Sequence, residues 1–271
     1  MKNILLILNG TLTPPHIIDA AINIAKSSSS LLHTLFVHYQ SDLEGYKYLF
    51  PNDLSLTRNR LTGRTVAEED ADLIEGQMSV FKDECESASV DFFIEPKTNI
   101  SLRDIIQLSA FSDFILADAH QNIHEHHIGD LLADAHCPVY LISKDTGDIQ
   151  NVVLAYDGSV SSMYSLKMYS YLFPAMSTLP TTLFYVHSGK QDELPQDKNI
   201  KMWLARHFTN IEIKILEGNI EEVLVQYCTD LPRSLAVMGA YSGNQITRFF
   251  HKSPANALIE EGRSSVFITH K

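Results

Sequence analysis

The chain has few cysteines and a single tryptophan. Of its 271 residues, three are cysteine and one is tryptophan. Cys85, Cys137 and Cys228 are odd in number and widely spaced, and none belongs to a CxxC pair. This excludes a disulfide framework and a CxxC metal or redox motif, and it favours buried thiols in a reducing compartment. We therefore expect a cytoplasmic protein.

Positive charge is also scarce. The chain has 21 basic and 33 acidic residues, a net charge of -12. Such a charge repels nucleic acid and anionic membranes, so we expect neither as a partner. The first apolar run, residues 3–8, is shorter than the core of a signal peptide or a membrane span. A ligand that carries phosphate must then be small and held by a local positive site.

The sequence lacks the common signatures of phosphate and acyl chemistry. There is no GxxxxGK[ST] loop and no G-x-S-x-G elbow. Asp157, Ser159 and His187 suggest a hydrolase triad, but the acid stands only two residues from the serine, too near to orient a base from behind. We therefore expect no enzyme, and weak hydrolysis remains an alternative.

One polar loop is rich in histidine. A zinc site would need a rigid second shell, and this loop is short, polar and without a thiolate. Exposed histidines are the favoured interpretation, and no metal site is predicted. The four residues are His120, His124, His126 and His127.

The second half of the chain repeats the first. Four segments recur in the same order, which indicates a tandem duplication. The matched pairs are 4–10 with 152–158, 34–38 with 182–187, 99–100 with 219–220, and 139–144 with 266–271.

Short apolar runs alternate with helical patterns in both halves. This alternation is typical of a parallel sheet covered by helices on both faces. We predict an α/β fold with two tandem doubly wound domains, residues 1–146 and 149–271, each with a five-stranded, mainly parallel sheet. The predicted strands are 3–8, 32–38, 90–95, 113–118 and 138–143, then 151–156, 181–187, 211–217, 234–239 and 265–270.

The helical patterns are clearest near the start of each half. The first predicted helix has Thr13 as its N-cap and Pro14 as its first residue. An apolar stripe over 67–85 predicts a second, core-facing helix. The second half should have helices at 160–173, 220–229 and 254–261. The excursion 41–65 has a shorter counterpart at 188–200, and it suggests a lid or a partner surface.

In doubly wound sheets, ligands bind where the strand order reverses, here beyond the first and fourth strands of each half. In the second half these strands end at Asp157 and Gly239, and a loop runs from there to the helix start at Ser253. Glycines and a helix N-terminus are suited to phosphate, so the segment outlines an anion cradle.

At these residues the chain resembles the universal stress protein family, whose ATP motif is G-x2-G-x9-G-[S/T]. The resemblance covers nearly the whole chain, twice. It implies a non-enzymatic stress protein that binds ATP or another adenine nucleotide, with Mg²⁺ only alongside the nucleotide. It also implies that the closing strands pair antiparallel, making the halves an intrachain pseudo-dimer, and it is compatible with a homodimer. The implied binding residues are Asp157, Val186, Met238, Gly239, Ser242, Gly243, Lys252 and Ser253.

The motif is degenerate in both halves. In the second half Ser242 and Lys252 replace glycines, although Gly243 follows directly and Lys252 offers a positive charge. In the first half Asn9 replaces the acid, and Asp118 with its neighbours stands where Met238 and Gly239 stand. Acidic residues there repel phosphate, so we expect one site per chain. One alternative is that both sites are dead and the chain is an interaction scaffold. A second alternative is a weak adenine-nucleotide hydrolase, for which Asp157 or His251 would be the base.

Overall fold

The structure is a computed structural model of the chain. It describes residues 2–37, 66–95, 100–120, 128–143, 148–187, 189, 193–231, 233–239, 257–259 and 263–269. Among these residues, no helix combines the length and apolar character required to cross a membrane.

Ten strands form one continuous sheet. Its order is β3-β2-β1-β4-β5-β10-β9-β6-β7-β8, so each half contributes five strands in the order 3-2-1-4-5. Pairing is parallel within each half, which confirms the doubly wound α/β prediction. The strands are β1 (Asn3–Asn9), β2 (Leu31–Val37), β3 (Phe92–Ile94), β4 (Phe114–Asp118), β5 (Val139–Ile142), β6 (Asn151–Ala155), β7 (Thr181–His187), β8 (Ile211–Glu217), β9 (Ser234–Gly239) and β10 (Ser265–Thr269).

Seven α-helices with defined bounds cover the two faces of this sheet, and the described part of the chain also has a 3-10 helix at Pro174–Thr178 and helical residues at 257–259. The seven α-helices are α1 (Pro15–Ser28), α2 (Val66–Ala88), α3 (Leu102–Ser109), α4 (Ile128–Asp134), α5 (Val160–Leu172), α6 (Asp197–His207) and α7 (Ile220–Asp230). Asn219 caps α7 by accepting from the N–H groups of Glu221 and Glu222. Most of the helix predicted at 254–261 lies outside the described residues.

Two expectations about helices were wrong. The cap of α1 is Pro14 rather than Thr13, because the Thr13 hydroxyl donates to the carbonyl of Asn9 at 2.6 Å. Helix α6 occupies part of what was expected to be a short connection. It begins after Gln196, whose left-handed conformation (φ 56°) lets the chain turn into the helix without a side-chain cap.

The core consists of two apolar layers, one on each face of the sheet. One layer packs under α1, α2, α5 and α6, and the other under α3, α4 and α7. Strands β4, β5 and β10 are buried at every residue. Because both faces are covered, these strands read as continuous apolar runs in the sequence rather than as alternating patterns.

The two halves are joined where their closing strands meet. Strand β10 pairs antiparallel with β5, with Phe267 opposite Tyr140, which confirms the predicted pseudo-dimer. Phe173, just after α5, packs against Phe114 and Tyr140 of the first half at centroid distances of 5.1 and 5.6 Å. Lys2 also crosses the junction and donates to the carbonyl of Leu172. The junction between the two halves is therefore part of the hydrophobic core.

Candidate functional site

The predicted site lies at the carboxyl ends of three neighbouring strands of the second half. Strands β9, β6 and β7 are adjacent in the sheet. Ala155 at the end of β6 lies in the same apolar layer as Val186 and Met238. Asp157 follows Ala155 by two residues, which places it beside Val186 in the β6–β7 register. The fold thus brings Asp157, Val186 and Met238 together at the carboxyl-terminal edge of the sheet.

Asp157 is held in place by the first turn of α5. Its Oδ1 accepts a hydrogen bond from the Ser159 N–H at 2.8 Å, and Ser159 caps α5 by accepting from the Ser162 N–H. Partial burial alone raises the pKa of the Asp157 carboxyl. Hydrogen bonds from the hydroxyls of Ser159 and Ser162 and from backbone N–H groups outweigh that effect, so the pKa is lowered. At neutral pH the site presents a fixed carboxylate.

We expect the stabilising effect of Asp157 to disappear in acid. A carboxyl with a lowered folded-state pKa contributes stability that is fully present above its unfolded pKa, about 3.9, and is lost as pH falls through the folded pKa. Urea unfolding of the wild type and of Asp157→Asn should therefore differ most at neutral pH and converge below about pH 4. Asp19→Asn, on the exposed side of α1, is the control. A difference that stays constant across this range would contradict the assignment.

Gly239 ends β9 directly against the first turn of α5. A Cβ at this position would lie 2.7 Å from the Ser161 hydroxyl and 2.8 Å from the Ser161 carbonyl carbon and oxygen. Because these contacts are with backbone atoms, a side chain here would force the strand or the helix to shift. Gly239 is therefore required for packing between strand and helix, in addition to any role toward phosphate.

The first half fills the corresponding place with a carboxylate. Asp118 ends β4, is 6% exposed, and accepts from the His120 N–H at 2.7 Å. Its Oδ2 lies 3.1 Å from Nε2 of His16 in the first turn of α1. That nitrogen has no partner with hydrogen-bond geometry, so the contact is electrostatic, an ion pair when the imidazole is protonated. A negative charge is already built into this end of the sheet.

The strand register corrects one detail of the sequence alignment. Leu6 pairs with Leu116, and its counterpart Leu154 pairs with Val237. Two residues further along, Asp118 therefore corresponds to Gly239. The prediction that residues 118–120 together stand where Met238 and Gly239 stand was therefore less specific than the register, which places Asp118 at the position of Gly239. Sequence alone does not fix which residues of neighbouring strands lie side by side.

In each half, the segment after the second strand packs over the end of the first strand. In the first half, a Cβ on Gly10 would lie 3.0 Å from the Ile74 side chain of α2. In the second half, Gly158 has φ +82° and a Cβ there would lie 2.4 Å from Cβ of Pro195. Tyr156 donates to the Pro195 carbonyl at 2.8 Å. These contacts hold the segment before α6 against the end of β6.

The first half also differs at the position of the acid. Oδ1 of Asn9 accepts from the N–H groups of Thr11 and Leu12, at 3.0 and 3.1 Å, and from the Thr11 hydroxyl. Asn9 therefore closes a local turn, whereas Asp157 brings a charge to the strand end.

Several predicted residues lie outside the described part of the chain. They are Ser242, Gly243, His251, Lys252 and Ser253, the excursion 41–65, and His124, His126 and His127. Their roles stay predictions. Within the described ranges, no group of three or more His, Cys, Asp or Glu side chains is placed to hold a metal ion.

The residues of the alternative hydrolase triad do not form a hydrogen-bonded chain. The Ser159 hydroxyl donates to the Ser162 hydroxyl at 3.3 Å, and it already caps α5. Nδ1 of His187 is buried and has no hydrogen-bond partner. A triad needs a histidine hydrogen-bonded to its acid, and Nδ1 of His187 makes no such bond to Asp157.

Comparison with known proteins relates the chain to others through its fold. No family model matches the sequence, and no curated protein matches it. A universal stress protein from Archaeoglobus fulgidus has 14% identity and a TM-score of 0.71, and the match covers 100% of this chain and 96% of that one. A provisionally assigned universal stress protein from Pseudomonas aeruginosa has 14% identity and a TM-score of 0.59, covering 100% and 93%. A protein of unknown function from the same species has 13% identity and a TM-score of 0.61, covering 100% and 92%. The chain has the universal stress protein fold over its full length.

Proposed function

We propose that this chain is a stress-response protein that binds one adenine nucleotide, in its second half, and that it does not act as an enzyme. The observation that carries the proposal is the difference between corresponding positions of the two halves. At the end of the fourth strand the second half has Gly239, and the first half has the buried Asp118. One strand end is free of side-chain charge and the other is not.

The chemistry of the second half supports a nucleoside. A fixed carboxylate accepts hydrogen bonds from the hydroxyls of a ribose, and Asp157 is such a group. Val186, half-buried and packed in the same apolar layer as the buried Met238, gives an apolar side chain beside it, suited to one face of a base. Beyond Gly239 the chain enters the segment that contains Gly243, Lys252 and Ser253, for which we propose contacts with phosphate. Any Mg²⁺ would then arrive bound to the phosphates.

The same comparison argues against a second nucleotide in the first half. A phosphate at the end of β4 would approach the carboxylate of Asp118, and like charges in a partly desolvated place repel strongly. The first half therefore serves as the structural partner of the second.

The test is a thermal-shift and calorimetric titration of the full chain. With ATP, ADP, AMP and cyclic dinucleotides, with and without Mg²⁺, we expect stabilisation by at least one adenine nucleotide, by about 2.7 kcal/mol at a hundredfold excess over Kd. Calorimetry should give one site per chain. Asp157→Ala should weaken binding, while Asn9→Ala, the corresponding change in the first half, should leave Kd unchanged.

Other outcomes would decide between the alternatives. Two equivalent sites, or a Kd that responds to Asn9→Ala, would contradict the assignment to the second half. No effect of any nucleotide on melting would favour the interaction scaffold. Turnover of the nucleotide that is lost in Asp157→Ala would favour the weak hydrolase.

A further inference from the structure

The last strand of the sheet, β8, is an edge of unusual length and composition. Among the described strands it has a neighbour on one side only, β7. It runs for seven residues, whereas β3 at the opposite edge has three. None of its residues is fully buried, and Ile213 and Leu216 are each 37% exposed. Long apolar edges invite pairing with another strand, and proteins generally shorten, charge or cover them.

The hydrogen-bonding direction of β8 fixes which backbone groups face outward. Thr181 N–H donates to the Asn210 carbonyl at 2.9 Å, and Gly218 N–H donates to the His187 carbonyl at 3.0 Å. Because successive residues of a strand alternate, even-numbered residues bond to β7 and odd-numbered residues point outward. Ile211, Ile213 and Ile215 therefore present their N–H and carbonyl groups along the edge.

The two faces of β8 differ in chemistry. Ile211 and Ile215 belong to the apolar layer under α6. On the α7 face, Lys214 lies 3.0 Å from the Glu212 carboxylate and donates to the Tyr227 hydroxyl at 3.0 Å. Glu212 also accepts from the Thr182 hydroxyl at 3.0 Å. The strand therefore has a row of isoleucines on one face and an ordered Glu–Lys pair on the other.

The side chains of Glu212 and Lys214 are both ionised, and hydrogen bonds hold each in one orientation. The hydrogen bond from Lys214 lowers the pKa of the Glu212 carboxyl, and the hydrogen bond to Tyr227 raises the pKa of the Lys214 ammonium group. Their side chains are 58% and 37% exposed, so each can reach a further partner. Fixed side chains lose less conformational entropy when they bind.

We propose that β8 is a homodimer interface, in which two copies of the chain pair their β8 strands antiparallel about a twofold axis at Ile213. The two ten-stranded sheets then become one. The proposal is independent of nucleotide binding, because β8 contains none of the predicted nucleotide-binding residues.

Side-chain complementarity selects this register. With Ile213 opposite its own copy, Glu212 faces Lys214, Lys214 faces Glu212, and Ile211 faces Ile215. A shift of one residue in either strand would set outward backbone groups opposite residues whose groups point inward. The nearest registers that keep outward residues opposite each other place Glu212 against Glu212 or Lys214 against Lys214, and like charges directly opposite destabilise a sheet. Only the central register joins opposite charges.

A charge-swap experiment tests the interface and its register together. The mass of the full chain is measured by light scattering across a dilution series, and we expect twice the 30.5 kDa of one chain for the wild type at the higher concentrations. Glu212→Lys and Lys214→Glu should each set like charges opposite each other and shift the mass to that of one chain. The double variant Glu212→Lys/Lys214→Glu should restore the dimer.

Two further variants distinguish the interface from general effects. Ile213→Pro removes an outward N–H without removing a bond to β7, and it should abolish the dimer while the circular dichroism spectrum stays folded. Phe93→Lys, which adds a charge on the exposed opposite edge, should leave the dimer intact. A wild type of single-chain mass at every concentration, or a dimer that survives both Ile213→Pro and the single charge changes, would overturn the proposal.

Discussion

Replacing Phe173 by alanine should lower the free energy of unfolding more than any other single truncation we consider, by about 3–5 kcal/mol, the usual cost of a buried phenylalanine. Phe173 is 6% exposed and follows α5, the first helix of the second half. Its ring lies 5.1 to 5.7 Å from four other aromatic rings. Those rings belong to Phe114, Tyr140, Tyr169 and Phe267.

Because of its position, truncating Phe173 should weaken the coupling between the two halves as well as the packing of the core. Two of its partners, Phe114 and Tyr140, come from the first half, and the other two come from the second. A cavity at this point would remove contacts on both sides of the β5–β10 joint. We therefore expect the cooperative unfolding of the chain to broaden or to split into two steps.

Urea unfolding followed by fluorescence and circular dichroism measures both effects. The matched control is Phe111→Ala, because Phe111 is 80% exposed and its truncation should change stability by no more than about 0.5 kcal/mol. Equal losses for the two variants would contradict the role given to Phe173. A single sharp transition in Phe173→Ala, at unchanged midpoint, would do so as well.

The sequence predicted most of the sheet because buried parallel strands are continuous apolar runs. The predicted strands at 181–187 and 211–217 coincide with β7 and β8, and the run at 3–8 differs from β1 by one residue. The run at 90–95 was too long. Only Phe92–Ile94 pairs with β2, so β3 is short and neither face of it is fully buried.

Helix α6 was missed because its buried surface is small. Only Ile200 and Leu204 of its residues are buried. Met202, between them, is 63% exposed, so hydrophobic residues do not gather on one stripe. The helix also starts without a side-chain cap, which removes the other common sequence signal. In this case tertiary packing decides the local structure.

The sequence predicted which strand ends form the candidate site, but it did not predict the side-chain contacts there. The repeat placed Asp157 and Gly239 at the ends of neighbouring strands, as the structure has them. It gave no sign that Gly239 touches Ser161, or that His16 approaches Asp118 in the first half. Both contacts join a strand end to the second residue of a helix far away in sequence. These contacts depend on strand register and on where the helices lie, and neither can be read from the spacing of residues in the sequence.

Gly239→Asp is the change that most directly separates packing from ligand binding at the candidate site. The new Cβ would lie 2.8 Å from backbone atoms of Ser161, so the strand or helix must move. Such overpacking costs about 1–3 kcal/mol, and a half-buried carboxylate without a partner adds to that cost. We expect lower stability and no nucleotide binding. Gly76→Asp, where a Cβ meets nothing within 4 Å, is the control and should have little effect.

A second change then reproduces the contact of the first half. Ser161→His, added to Gly239→Asp, sets an imidazole beside the new carboxylate, as His16 stands 3.1 Å from Asp118. A double-mutant cycle should give a favourable coupling of about 0.5–3 kcal/mol, measured by urea unfolding below the pKa of the imidazole, where the pair is charged. The absence of coupling would mean that the two halves do not share this geometry.

Nucleotide binding should stay absent in the double variant, since the carboxylate still repels phosphate. A double variant that regained binding along with stability would show that Gly239 serves packing alone, and the phosphate site would have to lie elsewhere.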